Sequence, residues 1–122
     1  MQKVVIAGSR EITNREFIRK EMNNLWREIG PFELVSGMAR GVDRVSRDLA
    51  VAAGITVHEM PADWNRYGKS AGYRRNEEMA ILADYGLILW DGESKGTKHM
   101  IDLMRKHHKP TDLVIVEKGD WK

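Results

Sequence analysis

The sequence contains no cysteine, which excludes disulfides and thiolate metal sites. That suits a reducing compartment, and a cytoplasmic location is the expectation. No apolar run approaches the length of a membrane span, so no membrane partner is expected. The N-terminus "MQKVVIAGSR" is too short and too glycine-bounded for a signal peptide. Neither sign of charge is in excess: 20 basic and 18 acidic residues leave a net charge of +2. The charges are interspersed and read as a solvated surface, so nucleic acid is expected to be an unlikely partner. His58, His99, His107 and His108 have no metal-ligand spacing, and no metal site is expected. Internal repeats, low-complexity tracts and linkers are also missing.

What is present fits one domain of 122 residues with a core large enough to need no staples. Residues 1–118 read as that domain and residues 119–122 as a short tail. "KVVIAG", from Lys3, is a β-branched run typical of a strand buried on both faces. Thr13 or Asn14 caps a first helix, which Gly30-Pro31 stops. "FELVS" from Phe32, "TVHEM" from Thr56, "YGLILW" from Tyr85 and "DLVIVE" from Asp112 are four further strands. A second helix follows "GMARGVDR" and ends at Gly54. A third runs from about Tyr73 to Ala83, and a fourth carries Met100, Leu103 and Met104. Alternating strands and helices imply an α/β fold, a single Rossmann-like domain. The expected core is a five-stranded parallel sheet of order 3-2-1-4-5 flanked by helices.

In such a sheet, ligands bind beyond the strand C-termini where the order reverses. The unusual polar residues fall in the loops that leave those ends. Gly8, Ser9 and Arg10 follow the first strand, and Ser36, Gly37, Arg40, Gly41 and Asp43 follow the second. Asp63 and Trp64 follow the third; Asp91, Ser94, Gly96 and Thr97 follow the fourth. Gly37 and Gly41 remove side chains where a ligand approaches the backbone, and free N–H groups at a helix start bind anions. Arg10 and Arg40 supply forked donors for phosphate. Asp43 either accepts from ribose hydroxyls or complements the helix dipole and pairs with Arg44 or Arg47. "GESKGT" reads as a second phosphate cradle or as ordinary turn chemistry. Trp64 either stacks on a base or packs as a lid or dimer contact. Arg74, Arg75 and Asn76 are placed at the opening of the third helix, where cations oppose the dipole, so a ligand or acidic partner is the better account of them.

The ordered motifs "GSR", "SGMARGVDR", "PADWNRYGKSAGYRRNEEM" and "DGESKGTKHMI" resemble the YspA branch, related to YpsA, of the SLOG (Smf/DprA–LOG) superfamily. The resemblance runs from Lys3 to about Val116. It implies a Rossmann-like domain that binds a nucleotide or a nucleotide-derived ligand, and it is compatible with a homodimer. Relatives include the LOG phosphoribohydrolases and the DNA-processing DprA proteins. LOG enzymes cleave nucleoside 5′-monophosphates and carry PGGxGTxxE, with an Arg-Lys pair opening a helix. "RNEEM" matches the second pattern at Arg75 and Met79, with Asn76 in place of Lys. "GESKGTKHM" matches the first at Gly96 and Thr97, but Met100 stands where LOG enzymes have glutamate.

Cleaving a glycosidic bond develops positive charge on the sugar and needs a carboxylate beside it. Methionine supplies none. The leading expectation is therefore binding of a nucleoside phosphate or ADP-ribose-like ligand, by a sensor, carrier or sequestering protein, with no further cofactor. The alternative is an N-glycosidase in which Arg75 acts with Asp63 or Asp91 in place of the missing glutamate. A DprA-like nucleic-acid module stands third, disfavoured by the balanced charge.

Overall fold

A computed structural model describes residues Met1–Lys122. Five parallel strands form one sheet of order β3-β2-β1-β4-β5, as expected. They are β1 (Gln2–Gly8), β2 (Phe32–Ser36), β3 (Val57–Glu59), β4 (Tyr85–Trp90) and β5 (Thr111–Ile115). The connecting helices are α1 (Arg15–Ile29), α2 (Val42–Ala52), α3 (Trp64–Tyr67), α4 (Ala71–Leu82) and α5 (Lys95–Lys106).

The central strand explains the two-layered packing. Side chains alternate across a strand, so Val4 and Ile6 enter one core while Val5 and Ala7 enter the other. The first core holds Ile18, Met22 and Leu25 of α1 with Leu49 and Ala50 of α2. The second holds Met79 and Ala80 of α4 with Met100 and Met104 of α5. β1 is apolar on both faces because both faces are covered.

Local chemistry sets the helix ends. The Asn14 side chain accepts from the Phe17 N–H at 3.1 Å and caps α1. Gly54, at φ 75°, leaves α2 through the left-handed region. The tail is docked. The Trp121 carbonyl accepts from the N–H groups of Thr13 and Asn14 at 2.7 and 2.9 Å. Its indole donates to the Val116 carbonyl and its ring packs on the first core.

Two expectations need correction. The polar segment after β3 is not wholly irregular: Asp63 accepts from the Arg66 N–H at 3.1 Å and caps the four-residue α3. A 3-10 turn, Gly68–Ser70, then leads into α4 at Ala71. Arg74 consequently closes the first turn of α4 and Arg75 lies in the second, so the dipole opposes Arg75 far less than a residue at the helix opening.

The sheet has unequal edges. β3 is three residues long, whereas β5 has five and leaves Leu113 and Ile115 exposed.

Two glycines separate packing from openness. A Cβ on Gly8 would run into the Leu89 carbonyl and stand 2.7 Å from Cγ2 of Val42, whereas one on Gly96 meets nothing within 4 Å. Gly8→Ala is therefore expected to cost about 2 kcal/mol or more. Gly96→Ala, within α5, should stabilise by about 0.5 kcal/mol. Urea unfolding of the two variants checks both signs.

Candidate functional site

The loops after β1 and β4 meet where the strand order reverses, because those two strands pair through Gly8 and Leu89. A crevice of about 320 Å³ opens there. Its walls include Gly8, Arg10, Asp43 and Arg75 on one side and Asp91, Ser94, Gly96 and Thr97 on the other. Met79 and Met100 line its apolar part, both 1% exposed. A second cavity of about 520 Å³ shares Arg10 and Arg75. It extends past Gly37, Arg40 and Arg44 to Trp64.

The loop after β2 is largely occupied by its own residues. The Asp43 carboxylate is buried, with Oδ1 accepting from the Gly8 N–H at 3.3 Å and Oδ2 from the Ala39 N–H at 3.4 Å. It does not pair with Arg44 or Arg47. Arg44 donates to the Met38 carbonyl, and Arg47 pairs with Glu59 and Asp48. Burial pushes the Asp43 carboxyl from 3.8 up to about 6, against the opposing pull of Arg75 and of its two backbone donors. The α2 start is further closed: the Arg44 N–H bonds to the Ala39 carbonyl, and Val42 N–H faces the Ser9 carbonyl.

The nearby glycines serve the same close packing. A Cβ at Gly37 would sit 2.8 Å from Nη1 of Arg75 and 3.0 Å from Oδ2 of Asp43. A Cβ at Gly41 would sit 2.5 Å from the Ser9 carbonyl oxygen, and its φ is 86°. These glycines admit protein atoms, whereas the sequence reading gave that space to a ligand. Met38 also stands in the left-handed region, at φ 62°. Ser36 Oγ takes its N–H at 3.2 Å and donates to the Asp43 carbonyl, so Ser36 builds this loop.

The α5 side is different. No side chain caps its first N–H groups, and Gly96 leaves open space beside them. The preceding turn is held by Asp91, whose Oδ1 accepts from the N–H groups of Glu93 and Ser94, both at 2.8 Å. Burial acts to raise its carboxyl, but these backbone bonds and the Ser9 hydroxyl outweigh it and hold the group below its ordinary value. Ser9 Oγ also accepts from the Asp91 N–H at 3.0 Å and lies 3.1 Å from Ser94 Oγ. Ser94 Oγ donates to Thr97 Oγ1 at 2.8 Å.

Arg75 connects the two sides. Its Nη1 donates to the Gly37 carbonyl and its Nε donates to Asn76 Oδ1. It has no carboxylate within ion-pairing distance, although it is half-buried. The structure thus brings Gly8, Arg10, Asp43, Arg75, Asn76, Asp91, Ser94, Gly96 and Thr97 to one crevice. Gly37, Arg40 and Trp64 line the adjoining cavity, and Trp64 is 54% exposed. Asp63 is spent on capping α3 and lines neither cavity. His99, which lines neither cavity, was missed as a partner of Asn76: it reaches that residue only because α4 packs on α5, and no sequence spacing reports that.

Asp43 generates a pH test. Its folded value lies above its unfolded value, so the folded state binds the extra proton between about pH 4 and 6. Stability is then greater below pH 4 and falls as pH rises through that window. The rise from 3.8 to about 6 corresponds to about 3 kcal/mol. Urea unfolding from pH 4 to 7 should show this fall in the native protein and lose it in Asp43→Asn.

Comparison with known proteins agrees with the fold. The family described as "YAcAr: YspA, cpYpsA-related SLOG family" matches residues 2–67. The Gene 61 protein of Mycobacterium phage D29 is 32% identical over 127 residues, covering 98% of both chains. The fold is shared with DNA processing protein A of Streptococcus pneumoniae, at a TM-score of 0.77 and 16% identity. This chain, 98% covered, spans 52% of that one. DNA processing protein A of Helicobacter pylori, described for its single-stranded DNA binding mode, gives 0.69 at 20% identity, covering 99% of this chain and 68% of the other.

That likeness overturns the expectation that nucleic acid is an unlikely partner. Net charge sums over the whole surface, whereas binding depends on local charge. Here Arg10, Arg40, Arg44 and Arg75 line one cavity with Glu59 as its only acid. By its matched residues and its phage relative, the chain belongs to the YspA, cpYpsA-related SLOG family.

Proposed function

We propose that the crevice between β1 and β4 binds the phosphate and sugar of a nucleotide-derived ligand, a nucleoside phosphate or an ADP-ribose-like compound. The observation that carries this reading is Arg75, a half-buried guanidinium in the crevice with no carboxylate ion-paired to it. The Asp43 carboxylate attracts it from beyond ion-pairing distance, which leaves part of the cost of its burial for an anionic ligand to offset. The open α5 N-terminus and Gly96 stand opposite, supplying N–H groups for the same anion. Exposed Trp64, at the far end of the adjoining cavity, offers a face for a base.

Holding is favoured over cutting. The position matching the LOG glutamate is Met100, buried at 1% exposure in the apolar part of the crevice. Asp91 is committed to its own turn and Asp43 to two backbone N–H groups. Neither stands free as a base.

A second reading is a single-stranded nucleic acid whose backbone follows the arginine-lined cavity. The line of Arg10, Arg40 and Arg44 leading to Trp64 supports it, since such sites combine a cationic groove with an aromatic platform. The Helicobacter pylori protein with the same fold is described as binding single-stranded DNA.

Calorimetry with AMP, ADP and ADP-ribose, beside a fluorescent oligothymidylate, decides between the readings. Arg75→Ala is expected to weaken the small ligand about 10- to 100-fold, the worth of a hydrogen bond to a charged group. Gly96→Ala should weaken it as well, because its methyl projects into the open side of the crevice. If the strand is the ligand, removing Arg40 should lower the salt dependence by about 0.7 in the log–log slope. Absence of binding to every small ligand by the folded protein would overturn the first reading.

A further inference from the structure

Asn76 is buried between α4 and α5, and its amide has two chemically distinct ends. Oδ1 accepts from Nε of Arg75 at 3.0 Å. Nδ2 faces the Gly96 carbonyl at 3.5 Å and Nδ1 of His99 at 3.2 Å. An arginine Nε can only donate, and a carbonyl can only accept. The orientation of the amide is therefore fixed from both sides without reference to the histidine. His99 Nδ1 must accept, which requires a neutral ring with its proton on Nε2.

We propose that His99 is a positioning residue for Arg75: its neutral imidazole, acting through Asn76, holds the crevice guanidinium in place, and its protonation releases it. A proton on Nδ1 would face the Asn76 NH₂ group, donor against donor. Flipping the amide would not help, because Arg75 Nε would then meet the NH₂ and the Gly96 carbonyl would meet Oδ1.

The surroundings hold His99 in the required state. Tyr73 of α4 packs edge-on against its ring, centroids 4.6 Å apart. Burial lowers the imidazole below its ordinary value, and this outweighs the opposite pull of Asp102 on α5 and Glu77 on α4. Arg75 lies behind Asn76 and adds a cation on that side. The role of Arg75 as an anion holder rests on the proposed function; the hydrogen-bond relay itself does not.

The relay has a signature opposite to plain electrostatics. A protonated His99 adds positive charge, which alone would tighten anion binding as pH falls. Release of Arg75 weakens it. Nitrogen-15 NMR of the unliganded protein tests the relay directly. The expected result is Nδ1 of His99 unprotonated at neutral pH, with the Arg75 Nε–H resonance shifting at the midpoint of the His99 titration. His99→Gln, which keeps an acceptor and cannot titrate, should preserve the Arg75 resonance and remove the part of its pH dependence that follows His99, leaving only that of the nearby Asp43. His99→Phe should displace it. Nδ1 protonated at neutral pH, or an Arg75 resonance indifferent to both His99→Phe and the titration, would overturn the proposal. Sulfate, whose charge is constant across this range, serves as the anion probe. Compared at each pH with His99→Gln, which cancels the titration of Asp43 in the same crevice, its affinity should fall about tenfold as His99 protonates, the size of one lost hydrogen bond to a charged group, and binding that tightens relative to His99→Gln at low pH would overturn the relay's control of the site. A protein that shows the NMR signature and binds no sulfate retains the relay and loses the anion-holding role of Arg75.

Discussion

The Asp43 carboxylate is the contact on which the site is built. Its two oxygens take N–H groups from two different segments, Gly8 at the end of β1 and Ala39 in the loop after β2. A buried carboxylate so placed is an internal anion held in front of α2, whose own first turn is closed by the Ser9 and Ala39 carbonyls. It fixes the distance between the two segments, and the missing Cβ of Gly37 leaves room for both its Oδ2 and the Arg75 guanidinium. With one nest filled from within, the open α5 start across the crevice is left to receive an anion from outside.

Much of the fold could be read from the chain because the signals were local. Alternation of apolar runs with helical spacing fixes the order of elements, and handedness then leaves few topologies. The crevice followed from the same rule, since loops leaving strand C-termini at an order reversal must converge. Asn14 and Gly54 act at the helix ends that their types indicate. The short α3 was not legible: four residues make one turn, which carries no period, and Asp63 as its cap looks like any polar loop residue.

The sequence indicated many residues that line the candidate crevice, but not Asp63, which caps α3, nor the roles of the rest. The glycines illustrate why. Gly8, Gly37 and Gly41 are small because backbone or side-chain atoms of the protein press on them, whereas Gly96, in the same crevice, faces empty space. Composition cannot separate these cases, because each depends on what lies across a tertiary gap. Ser9 and Ser36 likewise spend hydroxyl bonds within the loops. The chain from Arg75 through Asn76 to His99 was invisible for the same reason, as α4 and α5 must pack before its members meet.

The unequal edges of the sheet limit how the molecule can grow. β5 presents an open edge beside exposed Leu113 and Ile115, while β3 ends the sheet after three residues. A strand added from another chain has purchase on one side only. Two copies joined edge to edge through β5 would turn their short β3 edges outward, where the ladder has almost nothing to continue on. Association by this route closes at a pair and does not propagate into a fibre.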